Sequence, residues 1–146
     1  MMNWIIIIAL LIMASYALSM LKNIQAKRAE EVLDKYKDKK ILRVSSNANY
    51  FGQESKGVTQ IRGNGVLLLT QEELCFEMWA PKRELRIPVS SISGVESTQS
   101  HLSKSILTPL LKVVFKNESG QTDSAAWLVN NLDNWKESIE KLIQRG

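Results

Sequence analysis

The stretch GNGVLLLTQEELCFEMWAPKRELRIPVSSISGVES, Gly63 to Ser97, decides the fold. Val66 to Thr70 is a short apolar run. Beyond it, Leu74, Phe76 and Met78 alternate with Cys75, Glu77 and Trp79, the two-residue period of a strand with one face turned inward. Thr70 to Glu73 is polar and reads as the turn between two strands. Pro81 ends the second strand, Leu85 and Ile87 alternate in a third, and Pro88 closes that one because it has no N–H to donate to a ladder. Ile92 and Val95 begin a fourth.

The same reading extends to both sides. LLKVVFKNESGQTDSAAWLV, Leu110 to Val129, is a hairpin turning at Asn117 to Gly120. An earlier strand is expected around Ala48 to Glu54. The chain closes in an amphipathic helix: Asn134 and Glu137 have capping-box spacing, Leu132, Trp135, Ile139, Leu142 and Ile143 share one face, and Gly146 sits past its end. The fold class is therefore mainly β (α+β), a bent seven-stranded antiparallel sheet or partly open barrel. Bending hides the sheet edges, and the C-terminal helix caps the open end with Trp135 as a plug. Trp127 and Trp135 are expected in the core. Trp79, on the face opposite Phe76, has no second core to enter and either covers the helix or stands out as an anchor for a partner.

The order and wording of these segments resemble the GRAM and pleckstrin-homology (PH-like) superfamily over roughly residues 47–144. The resemblance is carried by Gly65, Leu67, Leu69 and Thr70, then Leu74-Cys75-Phe76, then Ile87-Pro88-Val89 with Ile92 and Glu96, and by Trp135 in the final helix. It implies a scaffold that binds lipid headgroups or proteins, and no catalysis. Lipid sites in this superfamily gather basic residues on the first inter-strand loop. Here that loop, about Ser55 to Asn64, offers Lys56 and Arg62 with Glu54 nearby.

The N-terminus is of another kind. From Trp4 to Leu21 there are eighteen residues without a charge. As a helix they span ~27 Å, close to the ~30 Å hydrocarbon core of a bilayer. The run reads as a single membrane span with Trp4 at one interface. A cleaved signal peptide, for which Ala14-Ser15-Tyr16-Ala17 supplies small residues, and a buried core helix are the alternatives.

Charge then sets the orientation. Lys22, Lys27, Arg28, Lys35, Lys37, Lys39, Lys40 and Arg43 follow the run, against Glu30, Glu31, Asp34 and Asp38. The positive-inside rule puts the C-terminal side in the cytoplasm and the N-terminus outside, across the cell (inner or plasma) membrane. Three segments are predicted: an anchor over 1–21, a basic helical connector over 22–43, and a domain over 44–146 that folds alone. The connector lacks Gly and Pro, and Ala29, Val32, Leu33 and Tyr36 have helical spacing. It serves as a solvated spacer, as a helix lying on anionic lipid through Lys22, Lys27, Arg28, Lys35, Lys37, Lys39 and Lys40, or as a dimer seam.

From Val44 onward there are eleven basic and eleven acidic residues. A neutral domain is a poor match for nucleic acid. One cysteine, Cys75, excludes an internal disulfide, and one cysteine with one histidine cannot build the usual four-ligand zinc site. Cys75 has no adjacent cation to activate it. His101 lies in TQSHLSKS among Ser97, Ser100, Ser103 and Ser105, but no nucleophile-elbow pattern accompanies it, and it reads as a polar loop histidine. Arg62-Gly63-Asn64-Gly65 lacks the following helix and Lys-Ser/Thr pair of a phosphate loop and reads as a tight strand entry. No cofactor, metal or catalytic residue is assigned. The candidate binding site is the hairpin tip with Trp79, Lys82, Arg83 and Arg86, where an aromatic stands beside three cations. The expectation is a membrane-tethered module that recruits a protein partner, with headgroup sensing as the alternative.

Overall fold

The computed structural model describes residues 3–102 and 104–145. Ser103 and Gly146, both noted above, lie outside the described residues. Helix α1 (Trp4–Lys35) is followed by strands β1 (Ile41–Gln53), β2 (Gly63–Thr70), β3 (Glu73–Met78), β4 (Glu84–Pro88), β5 (Ile92–His101), β6 (Lys104–Lys116) and β7 (Thr122–Leu128), then helix α2 (Leu132–Arg145). All seven strands form one antiparallel sheet in the order β4-β3-β2-β1-β7-β6-β5.

The inner face of the sheet carries the main core. Leu67, Leu69, Leu74, Phe76 and Met78 from β2 and β3 meet Ala48 and Tyr50 from β1, Leu111, Val113 and Phe115 from β6, and Ala125 and Trp127 from β7. Residues near both edges, Ile87 on β4 and Ile92 on β5, join the same cluster, so the sheet is strongly bent. At the crowded bend Gly65 leaves no room for a side chain: a Cβ there would meet the Glu77 carbonyl oxygen and the Phe76 ring. Turn chemistry follows the expected residues. The Thr70 hydroxyl accepts from the N–H groups of Glu72 and Glu73, and Asn117 Oδ1 accepts from Ser119 and Gln121 ahead of Gly120 at φ 76°.

Helix α2 buries Trp135, Ile139 and Leu142 against this core, with Leu132 and Ile143 beside them. Its start differs from the expected Asn134. The Asn131 carbonyl already accepts from Asn134 and Trp135, so the helix begins at Leu132. Glu137 pairs forward with Lys141 at 2.8 Å rather than back to a cap, because the i,i+4 spacing brings the two charges together on the exposed side.

Three expectations are corrected. β1 begins at Ile41, not near Ala48, so the expected boundary at residue 44 falls inside a strand whose Ile41 and Arg43 pair with Thr70 and Leu69. β5 extends to His101, which is a buried strand residue and not a loop residue. Its other positions are largely polar because β5 is an edge strand with few partners to bury against. Finally, the outer face of the sheet is covered as well. The last turns of α1 place Ala29, Val32 and Tyr36 over Val66, Leu68 and Cys75, with Ile41 and Trp79 alongside. On the neighbouring strands Phe51, Leu110 and Ala126 form a third cluster with Ile106 and Leu128. β2 and β3 are therefore buried on both faces, which explains why their apolar runs are nearly unbroken.

Candidate functional site

Helix α1 is a single helix of 32 residues with two environments. The eighteen-residue apolar stretch makes it the one described helix long and apolar enough to cross a membrane, and none of that stretch is buried in the protein. The last two and a half turns belong to the domain. Neither a solvated spacer nor a helix lying free on lipid describes residues 28–36, because their apolar side is sealed against β2 and β3.

Polar contacts lock this junction and fix its direction. Arg28 Nε donates to the Trp79 carbonyl at 3.1 Å, and its Nη1 donates to Glu31 at 2.8 Å. Lys35 Nζ donates to Glu77 Oε2 at 2.8 Å. Glu77 is only 1% exposed, and its Oε1 has no hydrogen-bond donor among the described residues, with Lys82 Nζ at 3.7 Å. The hydrogen bond to Glu77 pushes the Lys35 pKa up. Tyr36 Oη donates to Glu73 at 2.6 Å and accepts from Arg86 Nη2 at 3.0 Å, while burial pushes its phenol up. Burial also raises the Cys75 thiol, the opposite of an activated nucleophile. Lys39 pairs with Glu72. Contacts from Arg28 in α1 to Lys39 just beyond its end thus step backward along β3 and its flanks, from residue 79 to residue 72, so the helix runs antiparallel to that strand.

The candidate binding residues are accordingly divided. Trp79 is half-buried against α1, neither an exposed anchor nor a cover for α2. Arg86 is engaged by Tyr36, Glu73 and Glu84. Lys82, ion-paired to Glu77 at 3.7 Å, and Arg83 are exposed on the hairpin tip, which turns through a cis Ala80–Pro81 bond. Of the connector cations, Arg28, Lys35, Lys37 and Lys39 are in ion pairs, whereas Lys22, Lys27 and Lys40 have none among the described residues.

The β1–β2 loop lies at the same end of the sheet as this tip. Tyr50 pairs with Gly63, Gly65 with Met78, and the Trp79 N–H donates to the Asn64 carbonyl. Between loop and tip opens a cavity of about 240 Å³. Tyr50, Phe76 and Met78 form its buried wall, and half-buried Gln60 and exposed Lys56, Arg83 and Glu84 also line it. Arg62, in the same loop, keeps Nε and Nη2 buried with no hydrogen-bond partner among the described residues. Val58 and Ile61 are 59% and 44% exposed.

No family model matches the chain, and no curated protein matches its sequence. Among solved structures its fold is similar to a chain of the 8S snRNP assembly intermediate, at TM-score 0.56 and 10% identity over 71% of this chain and 82% of that one. It is also similar to the C-terminal domain of an unknown protein from Leishmania infantum, at TM-score 0.53 and 14% identity over 78% and 93%. At these identities the likeness is one of fold.

Sequence reasoning missed the α1–sheet junction and Glu77 at its centre. Its signal was present in two unpaired apolar sets, Ala29/Val32/Tyr36 on the helix and Val66/Leu68/Cys75 on the strands.

Two buried polar groups make the loop end sensitive to acid. His101 Nε2 lies 2.9 Å from the Gly52 carbonyl, and burial lowers its pKa below 6.5. Burial alone would raise Asp123, but hydrogen bonds from Ser55 Oγ, Gln53 Nε2 and the Ser55 and Ser124 N–H groups outweigh it and hold the carboxyl below 3.8. Below pH 6.5 the unfolded chain protonates its histidine before the folded one does, so stability is full above that pH and falls as acid is added. Asp123 adds a second loss as pH falls from 3.8 through its lowered folded pKa. His101 is the only histidine. Urea midpoints for a soluble fragment beginning at Lys22 should therefore drop between pH 6.5 and pH 5 in the wild type and stay level there in His101→Gln. Equal slopes in the two proteins would contradict the assignment.

Proposed function

We propose that the protein is a single-pass membrane protein that holds a PH-like interaction module rigidly against the cytoplasmic face of the cell membrane, where it recruits a protein partner. The observation that carries this reading is the continuity of α1. One helix supplies both an exposed apolar segment of bilayer length and a face that completes the folded domain. Such an arrangement fixes the module on its anchor instead of trailing it on a flexible linker. Support for the PH-like assignment comes from the order of seven strands and a final helix whose Trp135 enters the core of the bent sheet. The orientation is supported by Lys22 and Lys27, just beyond the apolar segment and without an ion pair among the described residues.

Leu107 is 96% exposed, and the native Cys75 is buried. In Leu107→Cys, a membrane-impermeant maleimide should label the protein only after cells are permeabilised. Labelling of intact cells would overturn the orientation, and a mature N-terminus near Leu18 would overturn the anchor.

A second reading, recognition of a lipid headgroup, is favoured by one observation. Two guanidinium nitrogens of Arg62 have no partner among the described residues, and the same loop supplies Lys56, Gln60 and Ile61 to the cavity that Arg83 and Glu84 also line. Binding of inositol phosphates to the fragment beginning at Lys22, lost in Arg62→Met, would move that reading to first place.

A further inference from the structure

We propose that the end of the sheet formed by the β1–β2 loop and the β3–β4 hairpin rests on the bilayer crossed by α1. Val58, Ile61 and Pro81 sit in its headgroup layer, and Lys22, Lys27, Lys82 and Arg83 lie on anionic lipid. This inference rests on the reading of α1 as a retained span, and it reassigns the hairpin tip from a protein partner to the membrane itself.

The argument is one of length and direction. With Trp4 to Leu21 in the hydrocarbon, Arg28 stands seven residues further along the same unbroken helix, about 10 Å beyond its edge. Arg28 is bonded to the Trp79 carbonyl. Because α1 and β3 run antiparallel, the chain beyond Trp79 continues toward the bilayer before the hairpin turns, so Ala80 and Pro81 lie nearer the hydrocarbon than Arg28 does. The tip therefore reaches the headgroup layer, which is roughly 5–8 Å thick on each side of the hydrocarbon. The β1–β2 loop shares this end, since Asn64 bonds Trp79 and the residues before Asn64 continue in the same direction.

The composition of that end suits a membrane surface. Val58 and Ile61 are large apolar side chains exposed on the loop, Ile61 lines the cavity with Arg83 and Glu84, and Lys82 is exposed on the facing tip. The opposite end, at the β2–β3 turn, presents Gln71 and Glu72, with Glu72 paired to Lys39 and exposed Lys40 next to them. Cations are drawn to an anionic surface within a Debye length of about 8 Å, so the stance depends on salt and on lipid charge.

The test uses the full chain reconstituted into vesicles of phosphatidylcholine and phosphatidylglycerol carrying a headgroup nitroxide. A fluorophore is placed at Val58→Cys or, as a second site, Ile61→Cys, with Gln71→Cys as the reference. Quenching is expected to be severalfold stronger at residues 58 and 61 than at residue 71. It should weaken at high salt, in pure phosphatidylcholine, and in the double variant Lys82→Glu/Arg83→Glu. Equal quenching at both ends of a protein that resists carbonate extraction would overturn the stance and leave the anchor standing. Extraction by carbonate would overturn both. Quenching at residue 58 unchanged by salt, lipid charge and the double variant would overturn the electrostatic part.

Discussion

A fragment beginning at Val44 is expected to unfold or aggregate, whereas one beginning at Lys22 is expected to fold and remain soluble. The shorter fragment loses Ala29, Val32 and Tyr36 and strips the cover from Val66, Leu68 and Cys75. It also loses the first rungs of β1, where Ile41 and Arg43 pair with Thr70 and Leu69. Burial of each aliphatic side chain stabilises a fold by roughly 1.5–3 kcal/mol, so Val32, Val66 and Leu68 together represent about 5–9 kcal/mol before the entropy of ordering the helix. That is comparable with the whole stability of a small domain, about 5–15 kcal/mol. The exposed face would in addition be a contiguous apolar patch on a sheet, an invitation to association. Size-exclusion chromatography with circular dichroism decides the matter: a monomeric Val44 fragment with full β signal would mean that the α1 contact is dispensable.

Replacing Trp135 by alanine in the fragment that starts at Lys22 is expected to lower the unfolding free energy by roughly 3–5 kcal/mol. The ring is 3% exposed and packs on the inner cluster with Ile139, Leu142 and residues of the bent sheet. No neighbour is placed to fill its volume, since the sheet residues around it are held in register by their ladders and α2 is anchored on either side by Leu132 and Leu142. The cavity therefore persists, and its cost adds to the lost transfer energy. Urea denaturation would show a shift in midpoint without a change in slope. A loss under about 1 kcal/mol would mean that α2 lies on the sheet without sealing it.

The particular elements that were legible share one property: their signals are local. Alternation in Leu74, Phe76 and Met78, the prolines 81 and 88, the Asn117–Gly120 turn and the single apolar face of α2 are each written within one element, and the structure carries all of them. β5 was only half legible because an edge strand keeps polar residues on positions that a central strand would bury. Trp79 and Arg86 were legible as an exposed binding anchor only while the helix that engages them was assigned to a separate segment.

By itself, then, the amino-acid sequence determined the strand periods, the turns, the inward face of α2 and an apolar run of bilayer length. Each follows from side-chain chemistry repeated at a fixed spacing. The tertiary structure alone decided that the tail of α1 belongs to the domain, that Glu77 is buried beneath Lys35, and which cations are held in ion pairs. It also decided which end of the sheet faces the same way as the apolar run. Those outcomes depend on surfaces forty or fifty residues apart finding each other, and periodicity records that a surface is apolar without recording what will cover it.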